Sequence, residues 1–407
     1  MHLLRGKALA AVVALVAGLT VAACGSSNNS SKTNSSSSGG SSTSSSTPAT
    51  ISTKSFTNNF SAMASLKSLA GQGKGKVAAI LPDTTSSTRY VEFDEPDLKK
   101  AMAAAGLPSS DIIVQNGQGS DSTFVTDAKA DITNGASVLL IDPEDPGTGV
   151  TVANYAKAHG VAVVNYDRLS TPNGDYVSFN NYVVGQDIGK GFVTCAKAWG
   201  VSHPNVIMMR GAPTDNNATQ FYVGYFNDVL KSYFSSGKYT LLAQTAGTWT
   251  PSDAQTEFEQ AYTAHKSANS AVIPNDENGA PIITYLRSHG VKAKTFPTTG
   301  QDATLTGLQN ILEGYQCGTV YKPVYAEAQA AVALAVYLRA SKPAPSSLLN
   351  GSTVDPTSKK KVPSVLLTPF WVTPTNMKDT IVKDNFVPTS QLCSGAAKAD
   401  CTKYGIS

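Results

Sequence analysis

Residues 161–170 read VAVVNYDRLS. A run of apolar, mostly β-branched residues with no polar alternation is the pattern of a strand covered on both faces, as in a parallel sheet sandwiched between helices. Asp167 and Arg168 stand side by side at its carboxyl end. In open α/β sheets ligands bind beyond the carboxyl ends of the strands, so this one stretch bears on the fold and on a site together. Taken alone, the pair is equally well explained as a helix cap, a salt bridge or a grip on a polar ligand.

The same rhythm extends in both directions. KVAAILPD (76–83), DIIVQNG (111–117) and ASVLLIDPED (136–145) read as strands, and between them DLKKAMAAAG (97–106) and the stretch around Phe124, Ala128 and Ile132 repeat apolar residues at three and four. A second series runs through YVSFN, the helix YVVGQDIGKGFVTCAKAWG, NVIMMRG, YTLLAQTAG, SAVIPND, KTFPTTGQD and TVYKP. Strands alternating with helices predict parallel sheets with helices on both faces, and two series predict two doubly wound lobes. The tail breaks the order: PVYAEAQAAVALAVYLRAS (323–341) is an apolar helix, PSVLLTPFWV (363–372) a late strand, and NMKDTIVKDNF (376–386) an amphipathic stretch. A return of the late helix to the first lobe stays open at this point.

Polar groups close many of these strands: Asp83, Asp142, Asp167, Arg168, Asn275, Asp276 and Asp302. Capping of the following helix accounts for any one of them as well as ligand binding does. RGAPTDNNATQ (210–220) places Asp215, Asn216 and Asn217 between a strand and a helix, and TAGTWTPSDAQ (245–255) sets Trp249 between a strand and Pro251. A tryptophan among threonines and glycine is unlike ordinary core. Its face suits the C–H face of a sugar ring, whose hydroxyls the carboxylates, amides and guanidinium groups can satisfy. Catalytic readings find little support: no G-x-S-x-G, H-E-x-x-H or G-x-x-x-x-G-K-[ST] occurs, and GQGKGKV (71–77) leads into a strand instead of a helix. No cofactor or metal is expected.

The chain has 407 residues, a net charge of +3 and 15% charged residues, too mild a balance for a nucleic-acid surface. Its start, MHLLRGKALAAVVALVAGLTVAAC, reads as a signal peptide over 1–23 that ends in a lipobox, with Cys24 as the lipidated residue. The apolar run is shorter than the ~20 residues of a membrane span. From Gly25 to Thr50 half of the residues are serine, so residues 24–50 form a lipid-bearing, disordered tether. Four further cysteines, Cys195, Cys317, Cys393 and Cys401, suit an exported protein, and they allow three disulfide connectivities. Cys393 and Cys401 can close locally, which would leave Cys195 with Cys317, but sequence does not decide.

YDR, GAPTDNNA, the tryptophan of GTWTP, NDENGA, TGQDA, TVYKP, VPSVLLTP and MKDTIVKDNF together resemble the periplasmic sugar-binding proteins of ABC importers with the ribose-binding-protein fold, and among them the D-xylose binders. The likeness runs from about Lys76 to Val387. It implies a type I periplasmic binding protein: two doubly wound parallel-sheet lobes joined by a three-segment hinge, the first over 76–177 and 323–365, the second over 178–322 and 366–407. It implies a ligand set of Arg89, Tyr90, Asp167 and Arg168 from the first lobe, Asp215, Asn217, Trp249, Asn275 and Asp302 from the second, and Lys322 from a crossing. A tryptophan usually follows the arginine in the first-lobe motif of the family. Here Tyr90 stands there, with a smaller face and a hydroxyl that needs a partner.

The resemblance implies a monomer that is no enzyme, held on the extracytoplasmic face of the cell membrane by the lipid on Cys24, which presents a monosaccharide, D-xylose before glucose or ribose, to an ABC permease and its ATPase. A sugar-sensing module for a signalling partner is the alternative. A repressor of the same fold would carry an N-terminal helix-turn-helix where this chain has its signal and tether.

Overall fold

The computed structural model describes residues 51–406. The signal segment, Cys24 and the tether lie outside the described residues. Among the described residues no helix is long and apolar enough to cross a membrane, and no cluster of three or more His, Cys, Asp or Glu side chains is placed to hold a metal.

The apolar runs of the first half become β1 (Lys76–Leu81), β2 (Ile112–Asn116), β3 (Ala136–Ile141), β4 (Ala162–Tyr166) and β5 (Asp175–Phe179). Further on come β6 (Asn205–Met208), β7 (Thr240–Gln244), β8 (Ser270–Val272), β9 (Gly300–Gln301), β10 (Thr319–Tyr321), β11 (Gly351–Val354), β12 (Lys361–Leu367) and β13 (Phe370–Val372). The first lobe is one seven-stranded sheet in the order β11-β12-β5-β4-β3-β1-β2. All its pairings are parallel except β11 with β12. β1, β3 and β4 are almost wholly buried, as near-continuous apolar runs in a covered parallel sheet require.

The second lobe holds two three-stranded sheets, β7-β6-β8 and β13-β10-β9. KTFPTTGQD, read above as one strand, yields only Gly300 and Gln301 as ladder residues. Beside β8 the Thr299 side chain takes over from the backbone: its hydroxyl receives the Ile273 N–H and donates to the Ile273 carbonyl, both at 2.8 Å. A side chain substituting for a ladder bond leaves no strand signal in the sequence. Asp276 ties the same corner together, accepting from Gln316 Nε2 (2.7 Å), Thr319 Oγ1 (3.0 Å) and the Thr304 N–H (3.0 Å).

Helix Val324–Arg339 is buried nearly all round and packs against β3, β4 and β5 of the first sheet. Its alanines explain why: a helix apolar on every side belongs in a core, and small side chains let it lie close on the sheet. The chain thus enters the second lobe after Phe179, returns after Tyr321 and crosses again between Leu367 and Phe370. The β5–β12 ladder runs to Phe179 and Leu367, two residues past the lobe boundaries set from the sequence.

Residues 51–70 join the first-lobe core, which the sequence reading began at 76. Phe56, Phe60, Met63, Leu66 and Ala70 are buried in the same cluster as the Val324–Arg339 helix. They sit on short 3-10 turns and a four-residue helix, too brief to show a period in sequence.

The disulfides are Cys195–Cys317 and Cys393–Cys401, with sequence separations of 122 and 8 residues. Loop-closure entropy grows with loop length, so the long cross-link restrains the unfolded chain more. Urea unfolding of the Cys195→Ser/Cys317→Ser double variant is expected to show a loss of about 2–5 kcal/mol. The Cys393→Ser/Cys401→Ser pair should lose less; an equal or larger loss would contradict the loop argument.

Candidate ligand-binding site

The carboxyl ends of β4 and β9, the crossing after β10 and three helix starts of the second lobe converge on one small cavity. All ten candidates line it: Arg89, Tyr90, Asp167, Arg168, Asp215, Asn217, Trp249, Asn275, Asp302 and Lys322. Ser86, Ser87, Phe221 and Gln301 complete the wall, and the sequence reading missed them. The serines follow Asp83, whose carboxylate accepts from the N–H groups of Thr85 and Ser86 and so shapes their loop. Gln301 neighbours Asp302, which was the available signal.

Arg89 is the most buried charge in the wall, at 2% exposure. Its Nε donates to Asp94 Oδ2 (2.9 Å), its Nη2 to Asp94 Oδ1 and Glu327 Oε2 (both 2.7 Å), and its Nη1 to Asp167 Oδ1 (3.2 Å). The fork to Asp94 depends on a π-helical turn over Tyr90–Asp94, in which the Glu95 N–H reaches back to the Tyr90 carbonyl. An i to i+5 turn brings residues 89 and 94 to one side, which ordinary helical spacing would not do. The Tyr90 hydroxyl, left without a partner by sequence reasoning, donates to Asp167 Oδ2 at 3.0 Å. The guanidinium groups of Arg89 and Arg168 lie 5.4 and 5.5 Å from the Tyr90 ring centre, within cation–π range.

The second lobe answers with its own pairs. Trp249 Nε1 donates to Asp215 Oδ2 (2.9 Å), which also faces Arg168 Nε at 3.5 Å. Gly211 is required here, because a Cβ at that position would collide with the Trp249 ring. Lys322 Nζ pairs with Asp302 Oδ1 at 2.8 Å. Asn217 Nδ2 crosses between lobes to the Asp167 carbonyl (2.9 Å), where the Tyr176 hydroxyl also donates (2.9 Å). Asp215 and Asn275 cap helices as well, accepting from the N–H groups of Asn217 and Asn278. Capping and cavity lining coexist in the same side chains.

Three cations and three carboxylates therefore share the wall: Arg89, Arg168 and Lys322 against Asp167, Asp215 and Asp302. Burial alone would raise the Asp167 carboxyl, but Arg89, Lys322, Arg168 and the Tyr90 hydroxyl outweigh it and bring it down to about 2. Burial pushes Asp215 upward despite Arg168, and it pushes Asp142, 3.7 Å from Arg168 Nη1, well above the carboxylate range. Among the described residues Arg168 Nη1 and Gln301 Oε1 have no hydrogen-bond partner.

A family model described as a periplasmic binding protein domain matches residues 78–343. The chain belongs to the periplasmic binding protein family. This periplasmic binding protein is 35% identical over 287 residues to the D-xylose-binding periplasmic protein of Escherichia coli (strain K12), covering 69% of the chain and 83% of that relative. It is 28% identical over 343 residues to the multiple sugar-binding periplasmic receptor ChvE of Rhizobium radiobacter, covering 78% and 92%. Among solved structures it matches a carbohydrate transporter solute binding protein from Chloroflexus aurantiacus in complex with D-glucose, with TM-score 0.68, 25% identity and 77% and 97% of the two chains covered. These relatives are binders by name, and the chain stands with binders and not with enzymes.

Asp167 titrates lower in the folded protein than the ordinary ~3.9 of a free aspartate. A depressed carboxyl contributes stability that is present above the unfolded pKa and is lost as pH falls through the folded one. The shift corresponds to about 2 kcal/mol. Unfolding measured between pH 5 and pH 2 should show a decline below pH 4 that is smaller in Asp167→Asn. Equal declines in both proteins would remove Asp167 as its source.

Proposed function

We propose that this chain captures a neutral monosaccharide, D-xylose first, between its two lobes and delivers it to an ABC permease and its ATPase. The observation that carries the reading is the charge balance of the cavity. Each cation already holds a carboxylate, so the ligand need bring no charge, while the paired groups still offer N–H donors and oxygen acceptors to hydroxyls. Arg168 Nη1 and Gln301 Oε1 supply one donor atom and one acceptor atom without a hydrogen-bond partner among the described residues. Trp249 is the half-buried aromatic of the wall and takes the apolar face of the ring. Tyr90, with two guanidinium groups 5.4 and 5.5 Å from its ring centre and its hydroxyl committed to Asp167, acts more as a brace than as a stacking platform.

D-xylose is preferred because two D-xylose-binding periplasmic proteins match at 35% and 34% identity. Glucose is the second reading, since solved relatives at 25% identity hold D-glucose or β-D-glucose. In this reading the chain acts as a monomer outside the cytoplasm, and the lipobox cysteine Cys24 carries the lipid that anchors it to the membrane. ChvE is described as a receptor, and a sensing role uses the same loaded form.

Calorimetry with xylose, ribose, glucose, arabinose and galactose tests the reading. Xylose is expected to bind most tightly; failure of every sugar to bind below millimolar concentration would sink it. Trp249→Ala and Asp302→Ala are each expected to weaken binding about tenfold or more, because a buried charged or aromatic partner is lost. Unchanged affinity in both variants would place the ligand elsewhere.

A further inference from the structure

Outside the ligand cavity two carboxylates join the lobes: Asp384, which accepts from the Tyr325 hydroxyl just past the second crossing (2.9 Å), and Glu277. Glu277 stands in the first turn of the second-lobe helix Asp276–Ser288. Its Oε1 accepts from the Thr88 N–H (3.0 Å), the Thr88 hydroxyl (3.0 Å) and the Ser87 hydroxyl (3.3 Å) of the first lobe. Neither Glu277 nor Thr88 lines the ligand cavity. Both line a separate, larger and more open recess, together with Glu92, Asp276 and Pro251.

We propose that Glu277 is a closure latch: it sets how long the closed form lasts, and hence how slowly ligand leaves, without choosing the ligand. The proposal rests on the reading of the cavity as an interlobe binding site. Three donors converging on one carboxylate oxygen from the opposite lobe all part when the lobes separate. Burial and Asp302 push the Glu277 carboxyl up to about 7 against the Thr88 donors; in its ionised form, favoured above that value, its bonds are stronger than neutral ones and their joint loss on opening is felt. Among other cross-lobe contacts, Tyr325 to Asp384 lies just past a crossing, while Asn217 to the Asp167 carbonyl and Arg168 to Asp215 are made by cavity residues, where closure and recognition cannot be separated. At Glu277 they can. Thr88 immediately precedes Arg89, so the latch also fixes the loop that carries the first-lobe arginine.

The discriminating experiment measures association and dissociation rates of each sugar that binds the wild-type chain, alongside Glu277→Ala and Thr88→Val. Glu277→Ala is expected to raise the dissociation rate about tenfold. Association should stay within about twofold, and one common factor should apply to every sugar. Thr88→Val, which removes one donor from the other lobe, should raise it a few-fold, and the two effects should not add. A dissociation rate unchanged in Glu277→Ala, or a changed order of sugar preference, overturns the latch. Should no sugar bind the wild-type chain, the functional reading fails by itself. The latch is then read from a donor–acceptor distance between labels on the two lobes: Glu277→Ala should widen the distribution, and an unchanged distribution refutes it.

Discussion

A guanidinium at 2% exposure cannot stand alone, and the site is organised around meeting the needs of Arg89. Removing such a charge from water costs several kcal/mol unless partners replace the solvent. Asp94, Glu327 and Asp167 do so, from a π-helical turn, from the alanine-rich helix of the late return and from the end of β4. Four of the five N–H groups of the guanidinium are used in this way, leaving one on Nη1. Arg89 is therefore more a frame for Asp167 than a free donor. Three carboxylates around one cation are too many charges to keep: burial pushes Glu327 up to about 8 against the pull of Arg89, with Asp167 and Asp94 adding to the rise, so at neutral pH it holds its proton. Asp167 stays ionised because Lys322 and Arg168 also support it.

This frame explains why the late return of the chain matters. Glu327 is the one carboxyl of a helix made mostly of alanine, valine and leucine, and it sits beneath Arg89. The three-segment hinge thus brings a residue from beyond 320 under a loop near 89, a juxtaposition that local sequence does not contain. Lys322, on the crossing itself, closes the circuit to Asp302.

The architecture was legible because its signals are local: apolar runs closed by Asp or Asn, helices with a period of three and four, and family motifs at the strand ends. Eight of the ten candidate residues lie in motifs at strand ends or on a crossing, whereas Arg89 and Tyr90 rested on the family resemblance alone. Asp94 and Glu327 were not, since one depends on a π-helical turn and the other on a helix whose burial made its carboxyl look incidental. Residues 51–70 were missed because turns of three to six residues carry no measurable period, although Phe60 and Met63 are as buried as any strand residue. The strand expected through Thr299 failed where a side-chain hydroxyl replaced the ladder.

The two lobes solve the same problem at the cavity in the same way. Asp167 donates its N–H to the Val177 carbonyl and Asp302 its N–H to the Val320 carbonyl, each at 2.9 Å, continuing the pairing with the next strand. Each then turns into the left-handed region, with φ of 55° and 86°. Aspartate tolerates that conformation better than most residues, yet it is uncommon outside glycine and persists only where the surroundings enforce it. Here the enforcement is a cation fixed elsewhere, Arg89 for Asp167 and Lys322 for Asp302. A turn of this hand ends the strand abruptly, so the carboxylate lies at the sheet's edge and is not carried into the following loop. The acid and base of VAVVNYDRLS are accordingly not partners of each other: Asp167 answers to Arg89, Arg168 to Asp215 across the cleft, and the adjacent pair divides its charges between the two lobes that must close.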